Sequence, residues 1–339
     1  MSLRIAFLGF RHVHIDDLYE FARASSRLSV AGAAEDDNAA AVAAKQRGIE
    51  LTDESVDALF ARAADFDAVA IGDYYGRRGA LAIRALEAGK HVIADKPLCT
   101  SLEELAEIDR LRTENRLSVG CMLNNRDSAQ FRTIKRLFGQ GVIGSLQTIT
   151  FSGQHPLLYG TRPSWYFEEG KHGGTINDIA IHAVDVVPWI FGHSWSRVVA
   201  ARVWNTRLSE RPHFQVGAQM MLELADGTGV LGDVSYLSPD SQGYTVPQYW
   251  RYTIHGTGGI IEAGMKLDDV RVWFDGADAV EVVEPDAGRE NGVYEDFINE
   301  VEGKGELAEL TTDTVIESSR IALTVQLAAD TGSFPQGLS

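Results

Sequence analysis

Cysteine is scarce in this chain, with only Cys99 and Cys121 among 339 residues. Two cysteines do not make a disulfide framework, and they suit a reducing compartment. Positive charge is short as well. Thirty-one lysines and arginines face 48 aspartates and glutamates, a formal net charge of −17. Nucleic acid and anionic membranes need a basic face, so neither is an expected partner. A small anionic ligand in a local basic pocket stays open. No apolar run is long enough to span a bilayer, and the start, Met1-Ser2-Leu3-Arg4-Ile5, lacks the apolar stretch of a signal peptide. A cytoplasmic location is expected. Low-complexity segments and repeat periods are missing too, and the length suits two domains.

What is present is an alternation of short apolar runs and helical patterns. Arg4–Gly9, Leu28–Ala34, Asp67–Gly72, Val92–Ala94 and Leu117–Cys121 read as strands, several of them continuous apolar runs of the kind buried on both faces. Helical patterns run over Ile15–Ala24, Ala39–Arg47, Gly79–Ala88 and Leu102–Glu114. This order predicts a doubly wound parallel sheet, whose ligands lie beyond the carboxyl ends of the strands. After Cys121 the pattern changes. Helices at Asp127–Phe138 and Thr175–Phe191 are followed by successive strands: Ser196–Trp204, Phe214–Leu224, Gly229–Leu237, Tyr249–His255, Gly258–Ala263 and Val270–Phe274. Asp226-Gly227 is a hairpin signal. The fold class is therefore α/β, a Rossmann-type domain over residues 1–122 and an α+β domain over 123–339 with a large, mostly antiparallel open sheet. The last helix, about 312–329, is a candidate to pack back on the first domain. One face of the open sheet needs cover, and a second subunit supplies it economically.

A dinucleotide site calls for Gly-x-Gly-x-x-Gly between the first strand and helix. Here the loop is Gly9-Phe10-Arg11-His12-Val13-His14, with Arg11 and His14 in place of two glycines. The topology and the acids Glu35, Asp36 and Asp37 after the second strand restore the case for a nucleotide. Glu35 is placed to accept the ribose hydroxyls of NAD, and the three acids would repel the extra phosphate of NADP. The alternative is that these acids cap the following helix. Gly9, Phe10, Arg11, His12, Glu35, Asp36, Gly72, Asp73, Tyr75, Asp95 and Lys96 form the candidate cofactor set. His12 and His14 lack further ligands at a zinc-like spacing, so no metal is expected.

The chemical end is centred on Lys90-His91-Val92-Ile93-Ala94-Asp95-Lys96-Pro97 and on Gly173-Gly174 through Asp185. Two glycines allow a close approach to a ligand before a helix begins. Asp178, His182 and Asp185, spaced four and three apart, share one face of an otherwise apolar helix. Buried acid and imidazole need partners, which favours a site. Oxidation of a secondary alcohol suits this set. Hydride goes to a nicotinamide, His182 takes the hydroxyl proton, and Lys96 stabilises the developing alkoxide. Asp178 holds a second hydroxyl or orients His182. Asp185 fixes the tautomer or is structural.

Glu87 through Pro97 resembles the Gly-Lys-His-Val-x-x-Glu-Lys-Pro motif of the Gfo/Idh/MocA family of NAD(P)-dependent oxidoreductases, with Asp95 in place of the glutamate. Gly173 through Asp185 resembles that family's Asp-x-x-x-His-x-x-Asp segment. Gly141-Val142-Ile143-Gly144 and Tyr294-Glu295-Asp296-Phe297 are further similar marks, and the resemblance covers nearly the whole length. It implies Lys96, Asp178 and His182 as catalytic group, a cis Lys96-Pro97 bond, and a homodimer or homotetramer formed through the C-terminal sheet. The chain departs from the family at Arg11 and His14, at Asp73-Tyr74-Tyr75-Gly76-Arg77-Arg78-Gly79, and at Asn124 and Asn125.

Between His155 and His172 stand Tyr159, Arg162, Trp165, Tyr166 and Lys171, a mixture of aromatic faces and donors that suits a sugar or polyol. Arg162 and Lys171 also allow a carboxylated or phosphorylated sugar. The candidate substrate set is Lys96, Asn124, Trp165, Lys171, Asp178 and His182. The expected function is an NAD-dependent dehydrogenase of a sugar, inositol or related polyol, with NAD preferred to NADP. The alternatives are an NAD-dependent glycoside hydrolase or eliminase that oxidises transiently, and a non-catalytic sugar or nucleotide sensor.

Overall fold

The structure, a computed structural model, describes residues 2–338 and divides into two compact units. The first holds the chain up to Met122, with Gly170–Gly173 and Asn291–Arg320. The second holds Leu123–Glu169, Gly174–Glu290 and the chain from Ile321 onward. The sequence pattern divides the chain at residue 122 and offers the last helix as a candidate to pack back on the first domain; in the structure Gly170–Gly173 and Asn291–Arg320, the latter including the start of that helix, group with the first unit.

In the first unit, strands β1 (Leu3–Phe10), β2 (Leu28–Ala34), β3 (Ala68–Gly72), β4 (His91–Ala94) and β5 (Val119–Cys121) form a parallel sheet in the order β2-β1-β3-β4-β5. The last six residues of β1 are all buried, as a central strand covered on both faces requires. Helices α1 (His14–Ala24), α2 (Asn38–Gln46), α3 (Val56–Ala61), α4 (Tyr75–Glu87) and α5 (Leu102–Asn115) connect them. Asp37, Ser55 and Ser101 cap α2, α3 and α5 through side-chain oxygens. The sequence reading leaves out α3, whose six residues are too few to show a period.

The start of α4 also differs, by four residues. The sequence pattern places its start at Gly79. Gly76 instead sits inside the first turn, where its N–H donates to Lys171 O at 2.9 Å, and a side chain there would strike the Gly170 carbonyl. Close approach is the reason for that glycine. Helix α8 (Gly292–Val301), after the α6 and α7 introduced below, is tied to this unit by Arg27, which donates to Asn299 at 2.8 Å and pairs with Glu295 and Glu302.

The second unit opens with α6 (Ala129–Gly139) and the long strand β6 (Leu146–Pro156). A π turn, Ile176–Ala180, leads into α7 (Ile181–Phe191). Strands β7 (Trp195–Trp204), β8 (Gly217–Leu224), β9 (Gly229–Ser238), β10 (Arg251–Gly256), β11 (Gly259–Gly264), β12 (Val270–Phe274), β13 (Glu281–Val283) and β14 (Gln336–Gly337) complete a sheet ordered β13-β12-β11-β10-β6-β9-β8-β7-β14. β6 and β9 run parallel, and every other described pairing in this sheet is antiparallel. The edge strands β13 and β14 are too short to carry an alternation. The last helix, α9 (Thr312–Thr331), has its first half counted with the first unit and its second half with the second. No helix among the described residues is long and apolar enough to cross a membrane.

One buried ion pair joins the short turn before α6 to α7. Arg126 Nε and Nη2 each donate to a different oxygen of Asp185 at 2.6 Å, with both residues nearly inaccessible. The geometry is the two-pronged fork that guanidinium and carboxylate favour. Removing one member of such a pair leaves the other charged and buried. Replacement of Arg126 by Met is expected to cost about 3–5 kcal/mol in chemical denaturation. A loss under about 1 kcal/mol would show that water reaches and solvates Asp185.

Candidate active site

The nucleotide end lies within the first unit. β1, β2, β3 and β4 end side by side, and Phe10 pairs with Gly72 while Ile71 pairs with Ala94. Gly9 turns with φ of 79°, and a Cβ there would stand 2.8 Å from that of Asp73. Only glycine fits. The N–H groups of Arg11 and His12 both donate to Gly72 O at 3.1 Å, which ties the loop to β3.

Glu35 is buried, and its carboxylate accepts from Phe10 N at 2.6 Å and from Asp37 N at 2.8 Å. Burial raises its pKa, and these two N–H groups pull it back in part. Glu35 is thus a strut between β1 and the turn after β2. Asp36 accepts from Val56 N at 2.8 Å at the start of α3, and Asp37 caps α2. Of the three acids, Asp37 caps the following helix, and Asp36 reaches the first N–H of α3, which Ser55 caps. Arg11 Nε lies 3.4 Å from Glu35 and 3.1 Å from Asp73, and Arg77 joins Asp36 at 2.5 Å to Asp73 at 2.8 Å. A glycine turn before a helix, with acceptors at the end of β2 and a cation across them, fits a dinucleotide in its donor set.

Arg78 was not singled out from the sequence and proves central. Its side chain is wholly buried. Nε donates to Asp73 O at 2.8 Å, and Nη1 to the carbonyls of Asp95, Lys96 and Pro97 at 2.9, 2.5 and 3.2 Å. Nη2 meets the Asp95 carboxylate at 2.8 Å. The backbone of Lys96 is thereby clamped at the carboxyl end of β4; Lys96 is buried and the Lys96-Pro97 bond is cis. The only sequence signal was the unusual arginine pair, and nothing local tells a buried arginine from a solvated one.

His12 Nδ1 contacts the same Asp95 carboxylate, and Tyr75 OH lies 3.3 Å from His12 Nε2. Burial pushes the Asp95 pKa up, but Arg78 and His12 outweigh it and hold the group well below the ordinary carboxylate range. Burial drives His12 down to about 4 against the pull of Asp95. The neutral ring that satisfies both contacts donates from Nδ1 and accepts at Nε2. His12, His14 and Asp95 present donor atoms within 4.8 Å of one another, a grouping able to hold a cation. The Arg78 guanidinium on the same carboxylate works against a further positive charge.

The other polar groups lie in the second unit. Asp178, in the π turn, accepts from Tyr236 OH of β9, and burial followed by the Asp178 charge raises the tyrosine's pKa. His182, in the first turn of α7, sets its ring edge-to-face against Trp250 with centroids 5.4 Å apart. Trp250 holds φ of 52°, uncommon for a bulky residue and a mark of local strain. Asp185 is taken by Arg126. The expected single polar stripe is therefore divided among three partners. A π turn carries an extra residue per turn, which rotates Asp178 relative to the α-helical phase. The second glycine of the pair has a reason within the unit. A side chain at Gly174, φ 97°, would strike Gln326 of α9, whose Oε1 accepts from Ile176 N at 2.9 Å.

Of the substrate candidates, Asn124 is exposed and Trp165 is buried with its ring against Tyr166, centroids 4.4 Å apart. Lys171 belongs to the first unit, with Nζ 5.0 Å from the Tyr74 ring, and His172 packs on Tyr75 with centroids 5.6 Å apart. Tyr236, Trp250 and Arg126 have no signal in the sequence beyond an inward place on a strand or turn.

Residues 3–122 match the family described as "Oxidoreductase family, NAD-binding Rossmann fold", and residues 131–262 match the "GFO/IDH/MocA C-terminal domain". An uncharacterized oxidoreductase of Synechocystis sp. is 30% identical over 138 residues, 39% of this chain and 35% of that protein. Levoglucosan dehydrogenase of Pseudarthrobacter phenanthrenivorans is 28% identical over 218 residues, 57% of this chain and 54% of that protein. The chain thus aligns with about a third to a half of these two relatives' lengths. Among solved structures, an inositol dehydrogenase homologue of Azotobacter vinelandii complexed with NAD+ has the same fold, with a TM-score of 0.81, 18% identity, and coverage of 99% of this chain and 97% of that one.

The His12–Asp95 contact makes a pH prediction. Between about 4 and the unfolded value of about 6.5, the unfolded chain carries a proton on this ring that the fold does not. Stability therefore falls as pH is lowered through that window, by up to about 3 kcal/mol at 1.36 kcal/mol per unit. The depressed Asp95 carboxyl acts only below it. Urea titrations at stepped pH are expected to show this slope, and His12→Asn is expected to flatten it. His91, also lowered by burial, contributes to both proteins alike. Equal slopes would assign the effect to another group.

Proposed function

The chain belongs to the Gfo/Idh/MocA family of oxidoreductases, and on that premise we propose that it is an NAD-dependent dehydrogenase of a secondary alcohol in a sugar, inositol or related polyol. The observation that carries this reading is Lys96: a buried lysine whose backbone is clamped by Arg78 at the carboxyl edge of the parallel sheet. Bound NAD supplies the hydride acceptor. His182 takes the proton from the reacting hydroxyl, a task that suits an imidazole near neutral pH. Lys96 stabilises the negative charge that develops on the same oxygen. Asp178, oriented by Tyr236, holds a neighbouring hydroxyl. The relatives' names, levoglucosan dehydrogenase and inositol dehydrogenase homologue, support a carbohydrate or polyol as substrate. The preference for NAD rests on the acidic end of β2, where Asp36 and Asp37 disfavour an added phosphate.

Two measurements test this. NAD is expected to raise the unfolding midpoint and NADP to raise it less; at a hundredfold excess over its dissociation constant a ligand adds about 2.7 kcal/mol. A larger shift with NADP overturns the reading of the β2 acids. Lys96→Ala is expected to retain the NAD shift and lose turnover of the active polyol by about two to four orders of magnitude, and unchanged turnover removes Lys96 from the reaction. NADH accumulation separates a dehydrogenase from an enzyme that returns the hydride.

A second copy is proposed to cover the open face of the large sheet. Met221 of β8 and Leu231 of β9 are register partners there, 46% and 49% exposed, beside a groove lined also by Ala200, Ala201 and Met220. Light scattering is expected to give a dimer or tetramer, and Leu231→Lys is expected to shift it towards monomer. A monomeric wild-type protein counts against this assembly.

A further inference from the structure

Arg162 is the cation that the reaction above does not use. Its Nε donates to Leu157 O at 3.1 Å, and its Nη2 to Pro156 O at 2.9 Å and to Tyr244 OH at 3.2 Å. The guanidinium carbon lies 4.5 Å from the Tyr166 ring centre and 5.6 Å from that of Tyr236. All of these partners are neutral. Among the described residues no carboxylate pairs with Arg162, and its Nη1 donors have no acceptor, in a chain with 48 acids for 31 basic residues. Arg4, Arg47, Arg62, Arg77, Arg78 and Arg126 each have a carboxylate.

Withholding a counter-ion from a partly buried cation costs free energy. Two backbone carbonyls and two aromatic rings hold the guanidinium plane still, so little side-chain freedom remains to be lost on binding. Tyr236 joins this cation to the reaction. The ring that Arg162 covers donates its hydroxyl to Asp178. A preorganised guanidinium with free N–H groups, one aromatic ring away from the acid assigned to substrate hydroxyls, is built for a planar or tetrahedral oxyanion.

We propose that Arg162 binds the anionic substituent of an acidic sugar, a carboxylate or a phosphate, and so selects acidic sugars over neutral polyols. This rests on the dehydrogenase reading for the role of Asp178, and the test separates the two. Binding to the NAD-loaded protein is measured with gluconate, glucuronate and glucose 6-phosphate against glucose and myo-inositol, for wild type, Arg162→Gln and Arg162→Lys. Wild type is expected to bind at least one acidic compound more tightly than the neutral ones. Arg162→Gln is expected to lose about 10- to 100-fold for that compound and little for the neutral ones. Arg162→Lys keeps the charge without the fork, is expected to fall between, and carries the comparison if the glutamine variant does not fold.

A preference for the two carboxylates or for the phosphate identifies the source of the anion. Acidic compounds that bind no better than neutral ones overturn the proposal. So does an equal loss for both classes in Arg162→Gln, which would make the residue a tie for its loop. NADH formation is read in the same samples. Turnover of neutral polyols alone sinks the anion subsite and leaves the dehydrogenase standing. An acid that binds through Arg162 without ever yielding NADH upholds the subsite and sinks the dehydrogenase.

Discussion

A buried guanidinium cannot be left unsatisfied, and Arg78 meets that constraint by gathering the strand ends around itself. Four backbone carbonyls, those of Asp73, Asp95, Lys96 and Pro97, accept from it, and so does the Asp95 carboxylate. The end of β3 and the end of β4 are thus held by one side chain. Asp95 in turn fixes His12, and His12 meets Tyr75, so the loop after β1 is joined to the same centre. The glycine fingerprint, which normally shapes that loop through its lack of side chains, is replaced here by ion pairs and one imidazole.

The second unit solves a similar problem with separate partners. Its helix α7 is apolar, yet its approach and first turns carry Asp178, His182 and Asp185. Each faces a different element: Tyr236 on β9, the Trp250 ring, and Arg126 before α6. Asp185 is held by both prongs of Arg126. Asp178 is oriented by a hydroxyl whose ring also carries Arg162. The chemistry proposed for the unit therefore depends on one tyrosine that links the acid to a cation without a counter-ion.

Charge explains why such centres stand out. The chain is strongly acidic, so most arginines find carboxylates close by. Those at the strand ends, Arg11, Arg77 and Arg78, neutralise Glu35, Asp36, Asp73 and Asp95. Glu35, which the sequence offers as a ribose ligand, accepts in the fold from the Phe10 and Asp37 N–H groups. The acids left nearer the surface are Asp36 and Asp37.

The sequence by itself determined the two architectures, because strand and helix follow from periodicity and from residues a few places apart. β2, β12 and the start of α5 fall where the pattern places them. The Lys96 and Asp178–Asp185 segments stood out because their polar residues interrupt apolar runs. What only the tertiary structure decided was partnership. α4 begins early because Gly76 meets a distant carbonyl, Asp185 turns to Arg126, and Gly174 makes room for Gln326. The same limit hid Arg78 and Arg162. Whether an arginine is buried, paired or left without an acid depends on distances between residues far apart in the chain, and burial sets the energy of each contact.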